Sequence, residues 1–343
     1  MYKTILFCIC LFGSIYLSGQ GYYSSLPVEE GKIYEKNPAV LYMYPKDSLY
    51  RANDYWGYIN KQKNETGTRL EKAIEFYNVA ACYDRLNMPD ETMKYLFDFL
   101  NVSPDDRSVL FTNDFKNLRA NPEKWKMITD RIDSLYLATV GEIENKELSL
   151  RIFYLSIERN ASTTRITHWT KPDGSIEETK EEPYKSESKG FSVTKETNKI
   201  LKTYGFPTKK EVGRYGVFQI YDVLQHSNIL IKNYPKVKKT FDAGGLDSVL
   251  FALMTDRMLT HKRKEQIYGT QWERITMGVS QGIMKEYHTK YSGKTLLYKV
   301  KDFENVNQRR KAMGFNETVE EMAKMYESRD YFIPPEYYEQ KKK

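Results

Sequence analysis

Cysteine is scarce in this chain: three in 343 residues, two of them, Cys8 and Cys10, close to the N-terminus and only Cys82 in the interior. That excludes a disulfide scaffold. No Cys-x-x-Cys, His-Glu-x-x-His or calcium-loop spacing occurs either, so neither a metal nor a cofactor is expected. Gly213, Gly216, Gly244 and Gly245 make no Walker or dinucleotide pattern, and Ser227 and Thr270 lack the surroundings of an activated nucleophile. Long apolar runs are missing beyond the first twenty residues, so no transmembrane helix is expected in the mature chain. Charge of one sign is not dominant: 53 Lys plus Arg stand against 46 Asp plus Glu, a formal +7 with both signs mixed. No nucleic-acid partner is expected from that balance, since no aromatic-interleaved basic motif accompanies it.

What the N-terminus does have is Lys3, an apolar run from Ile5 to Phe12, and the small residues Ser18 and Gly19 before Gln20. This is the pattern of a secretory signal peptide over residues 1–19, and the apolar run is shorter than an anchor helix, the competing reading, requires. The expectation is an exported protein, periplasmic or extracellular, after cleavage near Gly19. Residues 20–46, rich in Tyr, Pro and Gly without a sustained period, read as an extended arm.

From residue 47 to 140 the period is helical. Leu49, Ala52, Tyr55, Trp56 and Ile59 recur at three- and four-residue steps, and Leu70, Ala73, Ile74, Tyr77, Ala80, Ala81 and Leu86 continue the pattern. Asn87-Met88-Pro89-Asp90 breaks it, and a helix over Glu91 to Leu100 follows with Met93, Leu96, Phe97 and Leu100 on one face. The spacing of Phe76, Val79, Ala80 and Tyr83, then Leu96 and Phe99, then Pro104, resembles a tetratricopeptide unit over about 34 residues, with Thr92 where the second helix usually carries Gly or Ala. Phe115, Leu118, Arg119, Pro122 and Trp125 resemble the segment that closes such an array. The region is read either as a docking unit for a protein or peptide partner or as a plain helical hairpin. Cys82, between Ala81 and Tyr83, reads as a buried structural thiol.

Residues 141–329 read as a second domain and 330–343 as a mobile tail. Helices are expected over Glu147–Arg159, Thr194–Thr203, the stretch after Thr208 with Val217, Ile220, Tyr221 and Leu224 on one face, Tyr234–Phe241 and Leu246–Thr260. Pro172-Asp173-Gly174-Ser175 marks an exposed hairpin or loop. Glu265 to Ile275 and Thr295 to Val300 read as two short antiparallel strands, and Asn316 to Tyr326 as a last capped helix. The fold class is therefore mainly α: repeat-like helical hairpins packed with a helical C-terminal domain that carries a small antiparallel β-hairpin.

The ordered set Gly205-Phe206-Pro207-Thr208, Val212-Gly213, Gln225-His226, Thr255-Asp256-Arg257, Gln266 to Gln271 and Asp302 through Gly314 is similar to a bacterial domain of unknown function, number 6624, over roughly residues 145–326. The resemblance implies a bacterial source and a mainly helical domain, and it implies no activity. This chain departs from the family pattern at Glu158-Arg159-Asn160 and at Ser227-Asn228, where members offer an acidic group beside the histidine.

Within that set, His226 ends a helix, where the dipole favours its charged form and proton exchange near neutrality. Asp256 is placed to orient it, with Arg257, Arg309 and Arg310 as anion holders and Gln266, Tyr268, Thr270 and Gln271 as binding residues beside them. The competing reading makes His226 a helix cap and Asp256 and Arg257 members of a buried network joining helices to the hairpin. The first would support a hydrolase with His226 as general acid or base. The second leaves a binding or interaction module, the preferred expectation. Ten basic against three acidic residues between Lys195 and Lys239 mark that stretch as the place for an acidic ligand.

Overall fold

The computed structural model describes residues 53–62, 69–104, 106–110, 112–161, 165–170, 176–181, 192–225, 228–275, 290–291, 293–327 and 330–339, and these are mainly α-helical. They form two compact units, one running to the strand that ends at residue 181 and one beginning at Ser192.

In the first unit the expected helical periods become α1 (Tyr55–Gln62) and α2 (Arg69–Arg85). The chain reverses through Asn87 at a left-handed φ of 56°, and Pro89 then opens α3 (Pro89–Val102), where its missing N–H leaves no helical bond unmade. Buried Ala73, Ala80 and Ala81 let α2 and α3 approach, and Tyr77 meets Phe99 edge-on with centroids 5.4 Å apart. Thr92 is fully buried, and its hydroxyl satisfies itself by donating to the Met88 carbonyl at 2.9 Å. The buried face of α3 is Thr92, Leu96, Phe99 and Leu100, not the expected Met93, Leu96, Phe97 and Leu100. The helix carries two apolar stripes, and Tyr77 selects the one with Phe99.

The Asp84 carboxylate reaches from the end of α2 to the start of α4 (Lys116–Arg119), accepting the Asn117 N–H at 3.0 Å and the Leu118 N–H at 2.7 Å. Arg119 donates to the Val109 and Thr112 carbonyls and lies 4.8 Å over the Trp125 ring. The segment from Phe115 to Trp125 is thereby locked onto α2. Then come α5 (Pro122–Val140), capped by Asn121, and α6 (Lys146–Ala161), joined where Tyr136 stacks on Phe153 at 4.4 Å. The expected hairpin is β1 (Arg165–Thr170) paired antiparallel with β2 (Ile176–Glu181); its turn lies outside the described residues.

In the second unit α7 (Val193–Thr203) is capped by Ser192, and α8 (Lys209–Leu224) starts from a Thr208–Glu211 capping box. Gly213 adopts φ 75° inside α8, a value that side chains resist, and every residue from Gly216 to Leu224 is buried. α9 (Ile229–Asp242) starts well before the expected Tyr234 because Pro235 is accommodated inside the helix. α10 (Ser248–His261) follows.

A three-stranded sheet of order β3 (Trp272–Arg274), β4 (Thr295–Leu297), β5 (Tyr331–Phe332) packs beside α11 (Val306–Ala312), α12 (Val319–Met325) and α13 (Glu336–Glu339). The β3–β4 pair is antiparallel, as its alternation implies, with Trp272 opposite Leu297. β5 comes from the segment read as a mobile tail and corrects that reading over residues 330–339. It pairs parallel to β4, and Tyr337, 2% exposed, donates its hydroxyl to the Leu297 carbonyl at 2.8 Å. Two aromatics with a buried hydroxyl bond give the tail enough apolar surface to order it. The last α12 cap is Thr318, through a capping box with Glu321, in place of Asn316.

Candidate functional site

Asp256 projects from α10 into the loop between Gln266 and Gln271 and is fully buried. Its Oδ1 accepts the N–H groups of Ile267 at 2.7 Å and Tyr268 at 3.1 Å. Oδ2 accepts the N–H of Thr270 at 3.0 Å, the Thr270 hydroxyl at 3.0 Å and a second, shared contact from the Tyr268 N–H at 3.1 Å. A carboxylate offers about four lone-pair sites, and all are taken. Burial pushes the Asp256 carboxyl up to about 6 although these bonds pull it down.

The same loop is held from its other side. Arg309 on α11 donates through Nε to the Ile267 carbonyl at 2.9 Å, and its Nη atoms reach the Lys301 and Asp302 carbonyls and the Asp302 carboxylate. Arg310, 1% exposed, donates through Nη1 to the Tyr268 carbonyl at 3.1 Å and through Nε to the Glu317 carbonyl at 2.9 Å. Its guanidinium lies 4.3 Å over the Phe315 ring, and burial draws its pKa down to about 10, leaving it charged at neutral pH. Gly269 sits between these clamps at φ +66°, and a Cβ there would fall 2.7 Å from the Val319 Cγ1.

Gln266 closes the loop's ends: its Nε2 donates to the carbonyls of Gln271 at 3.0 Å and Tyr298 at 2.7 Å, while its Oε1 accepts the Gln271 N–H at 2.8 Å. The Gln271 side chain donates to the Thr270 hydroxyl at 2.9 Å, which continues the chain to Asp256.

Asp256, Gln266, Tyr268, Thr270, Gln271, Arg309 and Arg310 thus meet around one loop. They meet mostly through the backbone of the loop. Neither arginine is recorded with a direct bond to Asp256. Arg257, the next residue on α10, faces elsewhere: it is buried beside the Tyr221 hydroxyl of α8, whose pKa burial raises and the Arg257 charge lowers. His226 and Ser227 lie outside the described residues.

The sequence reading missed the polar residues buried on α8. Gln219 and Asp222 sit in the apolar C-terminal half of α8 and Gln225 caps it, each three residues from the next, and Gln225 Nε2 donates to Asp222 Oδ1 at 2.7 Å. An aspartate in the middle of an apolar run was the available signal. His261 is partly buried with its Nε2 2.7 Å from the Gln225 carbonyl. Among the described residues no group of three or more His, Cys, Asp or Glu side chains is placed to hold a metal ion, and no helix is long and apolar enough to cross a membrane.

No curated protein and no solved structure matches this chain. One family model does, and its range holds Asp256, Arg257 and the whole Gln266–Gln271 loop while leaving out Arg309 and Arg310: residues 188–291 match the Family of unknown function (DUF6624), within the C-terminal stretch where the sequence resemblance lies.

Proposed function

We propose that this is an exported binding protein, secreted or periplasmic after removal of residues 1–19, whose first unit holds a protein or peptide partner. The observation that carries this reading is the commitment of the polar side chains in the second unit. The Asp256 oxygens are filled by loop donors, and Arg309 and Arg310 spend their donors on carbonyls, a carboxylate and a thioether of the same unit. Groups already satisfied in this way hold a fold and have little left to offer a substrate.

The first unit, by contrast, presents one exposed aromatic, Trp56, beside the partly buried rings of Tyr55 and Tyr95. Trp56 is 48% exposed and meets the buried Tyr83 edge-on at 6.0 Å, and Tyr83 stacks on the partly buried Tyr95 at 5.4 Å. Arg85 lies over the Tyr55 ring and Lys94 over the Tyr95 ring. Trp, Tyr and Arg are the residues on which protein interfaces concentrate their binding energy. The test is retention of a partner from envelope extract by the wild type and by a Trp56→Ala, Tyr95→Ala variant. The expected result is loss of a specifically retained protein in a variant that still folds cooperatively. Retention unchanged by the variant and by deletion of residues 47–140 contradicts the reading.

A second reading, a hydrolase with His226 as general acid or base and Asp256 as its partner, draws on the Asp256 pKa of about 6, a value suited to proton transfer. A His226→Ala variant screened on a hydrolase substrate panel tests it: activity in the wild type that the variant loses supports an enzyme.

A further inference from the structure

The second unit carries a basic face that neither the aromatic residues of the first unit nor the Asp256 loop involves. On α7, Lys195, Lys199 and Lys202 follow one another at four- and three-residue steps and are all exposed. They form one stripe on the side away from buried Thr197, Ile200 and Leu201. On α9, Lys232, Lys236 and Lys239 repeat the same spacing, with Lys232 and Lys239 exposed.

Two bonds fix the flank on which the helices meet. Lys236 Nζ donates to the Leu201 carbonyl of α7 at 2.8 Å, and the Thr240 hydroxyl donates to the Phe206 carbonyl at 3.0 Å. The α9 stripe therefore runs along the α7 flank, with Lys232 and Lys239 one turn to either side of Lys236. Among the described residues, acid on this face is sparse. Of the two acidic residues on these helices, Asp242 is bound by Lys238 and Glu196 is half-buried. The neighbouring Lys209 and Arg214 are neutralised by Asp247, whereas among the described residues Lys195, Lys199, Lys202, Lys232 and Lys239 form no ion pair. Tyr204, 42% exposed, caps the C-terminal end of α7 just beyond Lys202.

We propose that this α7–α9 face docks onto a membrane surface rich in anionic phospholipid headgroups. The cations are all lysine, compact point charges that meet phosphates without the bidentate geometry that arginine brings to defined ligands. They are spread over two helices with no exposed aromatic residue between them for base stacking, Tyr234 being turned to Phe251 and Thr255, which disfavours single-stranded nucleic acid. A lone exposed tyrosine at the end of the stripe suits the headgroup boundary, where an apolar ring with a polar tip is favoured. Attraction from several lysines sums and decays within a Debye length, so the contact is reversible by salt.

The test is co-sedimentation of the full mature chain with vesicles of phosphatidylcholine alone and of equal parts phosphatidylcholine and phosphatidylglycerol. Wild type is expected to bind the anionic vesicles at least about tenfold better and to be released at about 0.5 M salt. A Lys199→Glu, Lys202→Glu, Lys239→Glu variant loses that binding, while a Lys311→Glu, Lys324→Glu variant, altered on α11 and α12, keeps it. Equal binding to both vesicles, no binding, or equal loss in both variants overturns the proposal. So does capture by a soluble polyanion with none by the vesicles. Trp56→Ala leaves vesicle binding unchanged, which separates this result from the partner docking proposed for the first unit.

Discussion

Asp256 and Arg310 hold both backbone groups of one residue: the Asp256 carboxylate accepts the Tyr268 N–H at 3.1 Å while the Arg310 guanidinium donates to the Tyr268 carbonyl at 3.1 Å. A buried anion and a buried cation thereby meet at the backbone of the same residue, one through the Ile267–Tyr268 amide and the other through the Tyr268–Gly269 amide, without touching. The loop that carries Tyr268 is fixed from α10 and from α11 at once, and each clamp depends on the other for its electrostatic partner.

The pH dependence of stability has a definite sign. The Asp256 pKa is raised from 3.8 to about 6, so the folded state binds the proton more tightly than the unfolded one. That contribution is fully present below the unfolded value and is lost as pH rises through the folded one; two pKa units correspond to about 3 kcal/mol. The stability advantage of wild type over Asp256→Asn is expected to shrink between about pH 4 and pH 6 and to level off above. Urea midpoints across that range check it, and a difference that is flat or grows with pH contradicts the assignment.

Arg310 and Arg309 differ in burial and should differ in cost. Arg310→Lys loses the planar fork to the Tyr268 and Glu317 carbonyls and the stack on Phe315, at about 2–4 kcal/mol. Arg309, whose side chain is 25% exposed, should cost about 1 kcal/mol on the same change, since water replaces part of what is lost. Denaturant unfolding of the two variants gives the order directly.

Gly269→Ala combines a left-handed backbone with a clash against Val319, whereas Gly293→Ala has the backbone penalty alone, at φ +84° with open space around it. The first is expected to cost about 3 kcal/mol and the second about 1 kcal/mol. Equal costs would mean that the loop can move off α12.

The tail is read from Tyr337. Removing its hydroxyl in Tyr337→Phe is expected to cost about 1 kcal/mol through the unmet Leu297 carbonyl, and truncation after Glu327 to cost more by stripping β5 from the sheet. Unchanged stability in both variants would return the tail to the mobile segment that its composition suggests.

Much of the fold is legible from period and punctuation. The alanine positions of α2, the break at Asn87–Asp90 before α3, the helix after Thr208 and the alternation in Thr295–Val300 each state a local preference that the packing keeps, although α3 begins at Pro89 and not at Glu91. What escapes is set by contacts distant in sequence. The buried face of α3 is chosen by Tyr77 and Phe99, β5 exists only because β4 offers an edge, and α9 runs through Pro235 because the unit packs both sides of it. The candidate site divides in the same way. Spacing locates Asp256 and the Gln266–Gln271 loop, but not that the carboxylate meets backbone N–H groups instead of a side chain, nor that Gln219, Asp222 and Gln225 line the inside of α8.

Amide hydrogen exchange at Ile267, Tyr268 and Thr270 tests the two-sided clamp most directly. In wild type these three N–H groups are expected to exchange only through opening of the whole unit, as slowly as the core amides of α10. In Asp256→Ala they should exchange faster by a factor of about 100 or more, with global stability lower by about 3 kcal/mol. Fast exchange of the three amides in wild type, or slow exchange that survives the substitution, would contradict the account.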